Sequence, residues 1–216
     1  MLTNHSIEKR GIAAADTSRL LGLGFKAAGL NSFTRTTNAW VGTDGDYTNE
    51  FTNNSGENVV LVIWGVAGSW VGGLNPTQPL ITYSLAPGEA TTISFADGAS
   101  GGWAGIYGDT TMSLGQVFNT WGEYTFSGSW STVDVSREPN MNGRNMTIVT
   151  PGSGSAPGCV SDMDTCVFVC KGGATSCWQD YQIINCNAAN GGGADAIAMN
   201  GGCNGIGKGA KLRTYL

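Results

Sequence analysis

Nine carboxylates, Asp44, Asp46, Glu50, Glu57, Glu89, Asp97, Asp109, Glu123 and Asp134, stand between Thr36 and Ser136 without one lysine or arginine among them. A folded surface built from such a segment carries a negative potential. That potential repels phosphate backbones and anionic headgroups, so nucleic acid and membrane surfaces are excluded as partners. It attracts a cation, a basic protein, or a neutral polysaccharide whose hydroxyls donate hydrogen bonds to carboxylates.

Other potential chemistry is thin. The single histidine, His5, lies near the N-terminus, which leaves no partner for a serine nucleophile and no nitrogen ligand for zinc. Asp44-Gly45-Asp46 and Asp162-Met163-Asp164 put alternate carboxylates within reach of one hard cation, but neither continues into an EF-hand loop, and both read as turns. Gly202 to Lys208 nearly spells a phosphate loop, yet Gly209 replaces the magnesium-binding hydroxyl. No metal and no cofactor is therefore expected. Six cysteines, Cys159, Cys166, Cys170, Cys177, Cys186 and Cys203, are confined to the last quarter of the chain without a Cys-x-x-Cys pair, which points to three disulfides. Spacing alone leaves their connectivity open. Two sequons, at Asn53 and Asn145, are candidate glycosylation sites that accord with secretion, and a third begins at Asn4.

The elements that must position these groups are mostly strands. Charged residues make up 12% of the 216 and there are 34 glycines, a balance that favours turns and short strands over long helices. Asp16-Thr17-Ser18 reads as the cap of one short helix carrying Leu20, Leu21 and Phe25. From residue 47 the pattern is β: Tyr47–Phe51, Val59–Trp64, Leu80–Leu85, Thr91–Phe95, Trp103–Tyr107, Gly122–Phe126, Ser131–Ser136 and Met146–Val149, separated by Gly, Pro and Asn turns. Strands at this spacing, with no intervening long helices, predict an antiparallel sandwich or barrel. The organisation expected is an N-terminal segment over 11–39, a β-sandwich core over 40–150, a Gly/Ser/Pro linker or loop over 151–158, and a disulfide-stapled, loop-rich region over 159–216. In that last region Thr165–Cys170 is a further strand candidate, whereas 185–209 is expected to bury little. No apolar stretch approaches the length of a membrane span.

Gly122-Glu-Tyr-Thr-Phe126, then Val133-Asp-Val-Ser136, then Asn145-Met-Thr-Ile-Val149 follow the order of three strands in thaumatin-like proteins, which this part of the chain resembles. Upstream, Phe51-Thr-Asn-Asn-Ser55 through Trp64-Gly65, the turn Leu85-Ala-Pro-Gly-Glu89 and Gly101-Gly-Trp103 are similar to further motifs of that superfamily. Together they cover about half of the chain. Secreted fungal allergen-type glycopeptides share the Thr-Trp-Gly-Glu-aromatic-x-Phe stretch and the x-Asp-Val-Ser segment, and the chain looks closest to them. Lys9-Arg10 before Gly11 resembles the cleavage site of fungal secretory processing proteases, which would make 1–10 the remnant of a prosegment.

The resemblance implies a thaumatin-like sandwich with an acidic cleft that binds β-1,3-glucan and in some members hydrolyses it weakly. It carries Glu123 and Asp134 into that cleft as candidate catalytic and ligand-binding residues. The family's cleft arginine falls at or near Trp103, and its next aspartate falls at Pro139, beside Glu138, which makes Trp103 and Glu138 further ligand-binding candidates. Glycoside hydrolysis needs one protonated and one ionised carboxyl about 5–10 Å apart, a separation that neighbouring strands supply. Mutual repulsion between the two raises at least one pKa, as a general acid requires. Among the seven tryptophans, Trp70 in a Gly/Ser-rich loop is the first choice for stacking on a sugar, whereas Trp64 reads as core. The expectation is thus a monomeric secreted protein, extracellular or in the cell wall, that binds β-glucan or a related polysaccharide. The alternatives are a weak endo-β-1,3-glucanase and a host-facing effector or allergen with a protein partner.

Overall fold

The computed structural model describes residues 11–65, 73–152 and 158–216. After a helix α1 (Ala14–Gly22), the chain runs through β1 (Ala39–Val41), β2 (Tyr47–Thr52), β3 (Val59–Trp64), β4 (Ile81–Leu85), β5 (Ala90–Phe95) and β6 (Ser100–Ile106). It continues through β7 (Thr111–Ser113), β8 (Gln116–Phe118), β9 (Trp121–Thr125), β10 (Thr132–Ser136), β11 (Thr147–Thr150) and β12 (Cys159–Ser161). The last elements are β13 (Val167–Cys170), β14 (Tyr181–Ile184), β15 (Gly192–Ala194), β16 (Gly201–Asn204) and β17 (Lys211–Tyr215). The fold is mainly β, with largely antiparallel sheets, disulfides near the C-terminus and no closed barrel. All eight strand segments expected between residues 47 and 150 form, with ends shifted by a residue or a few.

Two sheets carry the structure. One is ordered β1-β5-β2-β17-β11-β12 and the other β14-β13-β10-β9-β6-β3-β4. The edge of β10 away from β9 is shared, its first half pairing antiparallel with β16 and its second half parallel with β13. Between the sheets lies the main core, in which Phe51, Phe95, Trp103, Tyr124 and Phe126 pack with Val133 and Val135. β3, apolar at all six positions, is buried throughout because it needs cover on both faces. Its outer residues Val60, Val62 and Trp64 join a second core with Leu20 and Phe25 from the N-terminal segment.

The helix starts earlier than its polar residues suggest. Its N-cap is Ala13, which offers no side-chain bond, and Asp16 instead accepts from Ser84 Oγ at 2.5 Å, tying the first turn to β4. The base-free acidic segment is also less exposed to its own repulsion than the sequence implies. Arg35 pairs with Asp46, Arg144 with Asp109 and Glu57, and Lys208 with Asp97. The aspartate pairs hold turns: Asp162 accepts from the backbone of Asp164 and Thr165, and Asp44 from Trp40 Nε1.

The region after residue 158 completes the sandwich. β17 inserts between β2 and β11, parallel to β2, and β12 extends the same sheet. The tract from 185 to 209, expected to bury little, contributes two short strands and buries Cys203 and Ile206. Disulfides join Cys159 to Cys203, Cys166 to Cys186 and Cys170 to Cys177. Asn53 is corrected as a glycosylation candidate: it is fully buried and its Nδ2 donates to the carbonyls of Glu57 and Leu85, so the acceptor nitrogen is already used. Asn145 is exposed.

Trp103 on β6 lies across from Gly122 on β9, and its indole occupies the space a side chain there would need. A Cβ on Gly122 would stand 2.1 Å from Trp103 Nε1. Gly122→Ala should therefore lower stability by about 2–3 kcal/mol, read as a fall in the urea midpoint at unchanged slope.

Candidate functional site

β9 and β10 pair in a register that sets Glu123 opposite Asp134, Trp121 opposite Ser136 and Thr125 opposite Thr132. Strand alternation sends Tyr124, Val133 and Val135 into the main core and turns Glu123, Asp134 and Ser136 to the outer face of the sheet. There they form the floor of a cleft of about 300 Å³. Directly opposed residues have Cβ atoms about 4.5–5.5 Å apart, so Glu123 and Asp134 are immediate neighbours.

Three segments wall the cleft. Glu138 and Pro139 follow β10, and the backbone carbonyl of Glu138 accepts from Cys177 N at 2.9 Å. The Cys170–Cys177 disulfide thereby sets Trp178 on the rim, 43% exposed, with its ring 6.0 Å from that of buried Trp121. Phe168 on β13 and Tyr181 on β14 form the second wall, with rings 5.7 Å apart in an edge-to-face arrangement. Met199, Asn200 and Gly201 form the third, in a loop organised by Asp195, which accepts from Met199 N and Asn200 Nδ2. Gly202, at φ 136°, lets that loop close on β10, since a Cβ there would lie 2.4 Å from Thr132 Oγ1.

Among the described residues, no lysine or arginine lines the cleft. The nearest in sequence, Arg137, is turned away by the same alternation and donates to the carbonyls of Met141 and Met163. Without a counter-charge, the carboxyls hold their protons. Burial, then repulsion from Glu138, pushes Glu123 up to about 8, although the residue keeps some contact with solvent through the cleft mouth. Burial pushes Glu138 up to about 7. Asp134, 4% exposed, is raised well above the ordinary carboxylate range by burial and then by Glu123 and Glu138. Ser136 offsets part of the shift in both glutamates, yet its Oγ makes no hydrogen bond of standard geometry to the described residues, and neither does Asp134 Oδ1.

The structure thus brings Glu123, Asp134 and Glu138 together and separates Trp103 from them. Trp103 is corrected as a ligand-binding residue: fully buried, it stacks on Tyr124 at 5.5 Å on the opposite face of the sheet. The position facing Glu123 from β6 is Gly102, kept bare because a Cβ would meet Trp64 at 2.6 Å. Trp70, Lys9 and Arg10 lie outside the described residues. Trp178, Tyr181, Phe168 and Ser136 were not singled out from the sequence. Ser136 had a readable signal, its two-residue spacing from Asp134 along one strand, whereas the aromatic wall depends on chain crossings and a disulfide.

Residues 41–200 match the family described as the Allergen Asp f 4-like domain. The chain belongs to this fungal allergen-type family. No curated protein matches it. Among solved structures it is similar to the protein elicitor MoHrip2 from Magnaporthe oryzae, at 15% identity and a TM-score of 0.40, over 79% of this chain and 98% of that one.

A carboxyl whose folded pKa is raised binds its proton more tightly in the folded state, so its cost is absent below the unfolded value near 4.5 and complete above about 8 for Glu123. Neutralising one member of the trio should relieve that cost only where it exists. Asp134→Asn is expected to raise stability by roughly 1–3 kcal/mol at pH 8.5 and by nearly nothing at pH 4, in urea denaturation followed at both values.

Proposed function

We propose that this family member is a secreted cell-wall protein whose acidic cleft binds a polysaccharide, β-1,3-glucan or a related polymer. The observation that carries this reading is the cleft itself. Three carboxyls and a serine hydroxyl form its base, and a half-exposed tryptophan and a tyrosine stand on its walls. Convergent polar groups within an apolar frame suit a ligand with many hydroxyls and apolar ring faces. Three disulfides accord with secretion. No described helix is long and apolar enough to cross a membrane.

The spacing of Glu123 and Asp134 also suits a retaining glycosidase, for which about 5–5.5 Å is required. Their electrostatics favour binding over turnover. Hydrolysis needs one ionised and one protonated carboxyl, and in mild acid burial keeps both protonated. Neutral carboxyls donate and accept hydrogen bonds to hydroxyls but supply no nucleophile.

The test is depletion of the protein by insoluble β-1,3-glucan at pH 5, with chitin and cellulose as parallel solids and the supernatant assayed for released sugar. Depletion without release is expected. Trp178→Ala and the Glu123→Gln/Asp134→Asn pair should each weaken retention by about tenfold or more while the proteins stay folded. Release of oligosaccharide, abolished by Glu123→Gln, would make the protein an enzyme, and no retention on any solid would move its function to a protein partner.

A further inference from the structure

We infer that the cleft takes the protonated amine of an amino-sugar polymer, a polysaccharide whose rings carry free primary amino groups; this rests on the reading of the cleft as a polysaccharide site. Glu123, Asp134 and Glu138 face one space that no lysine or arginine among the described residues enters. Elsewhere on the molecule, Asp46, Asp97, Asp109 and Glu57 each hold a basic partner.

A second observation points to a ligand. Asp134 is 4% exposed and lines the cleft, and its Oδ1 lacks a hydrogen-bond partner among the described residues. Buried acceptors are rarely left unmade without a reason. A glycan hydroxyl would satisfy Asp134 Oδ1, but brings no positive charge to offset the burial that disfavours the ionised carboxylates. An ammonium group brings three donors and a positive charge together, and the Trp178 and Tyr181 rings on the walls favour a cation at their faces.

The size of the cation is also constrained. Among the described residues, the one set of three ligand atoms within 4.8 Å of one another is the sulfurs of Cys159, Cys166 and Cys203, which are held in disulfides. The carboxylates are spread more widely than a single metal ion spans, so a bulkier organic cation suits them better. Binding it should displace protons. The groups that face it are Glu123, Asp134, Glu138 and Tyr181, with Asp195 at the rim, and the three cleft acids hold their protons because burial disfavours their charged forms and no counter-charge offsets it.

The experiment is calorimetric titration of the whole protein at pH 6 with four probes: a glucosamine hexamer, its N-acetylated form, a β-1,3-glucose hexamer and tetralysine. Each is run in two buffers of different ionisation enthalpy, so that proton release is counted. The glucosamine hexamer is expected to bind about tenfold more tightly than the other three and to release protons, and Glu138→Gln, a change at a partly buried wall residue, should weaken it by about fivefold. Equal affinity for the glucose hexamer without proton release would overturn the amine and leave the polysaccharide reading standing. Tetralysine binding as tightly as the glucosamine hexamer would overturn the sugar and assign the site to a basic peptide. No binding by any probe would overturn both readings.

Discussion

The register between β9 and β10 is the constraint on which core and cleft both depend. With Glu123 opposite Asp134, the alternate residues Tyr124, Val133 and Val135 enter the main core and Gly122 receives the Trp103 indole. A slip of one residue would expose these side chains and bury the carboxyls between the sheets. The hydrophobic core thus holds the acids side by side, even though their mutual repulsion opposes it. Bulky aromatic packing at Trp103, Tyr124, Phe95 and Phe126 supplies the opposing free energy.

Electrostatic compensation is distributed unevenly. Surface acids gain partners from distant parts of the chain, Arg35, Arg144 and Lys208, and such exposed pairs contribute modestly. At the cleft, alternation turns Arg137 away and Gly102 occupies the position from which another side chain would reach Glu123. The result is a cluster of buried acids that costs stability and gains from any ligand that brings donors or positive charge. Sites of this kind commonly trade stability for binding.

The C-terminal region builds the cleft as well as the sandwich. β17 closes the gap between β2 and β11, and β13 and β16 divide the free edge of β10 between them. The Cys170–Cys177 disulfide anchors the loop that carries Trp178, and Cys203 on β16 lies opposite Val133. Two walls of the site therefore come from residues that follow the Gly/Ser/Pro stretch of 151–158, far in sequence from the acids they enclose.

Local pattern was enough to read the strands from Tyr47 to Thr150, because apolar alternation and Gly/Pro turns act within a few residues. The cysteine count announced oxidation of the C-terminal quarter, and the family resemblance named Glu123 and Asp134 as residues of one cleft. The resemblance carried Trp103 to the wrong face, since one position along a strand reverses a side chain, and Gly102 holds the outward place. Asn53 satisfied a three-residue sequon while its amide was committed to carbonyls four and thirty-two residues away. The parallel insertion of β17, the disulfide pairing and the aromatic wall of Phe168, Trp178 and Tyr181 required the tertiary structure, because each joins segments whose proximity no local periodicity encodes. Sequence determined which residues could be acidic, apolar or oxidised; the folded sheets decided which acids would share a cleft lined by no described lysine or arginine, because only three-dimensional packing buries Asp134 and turns Arg137 away.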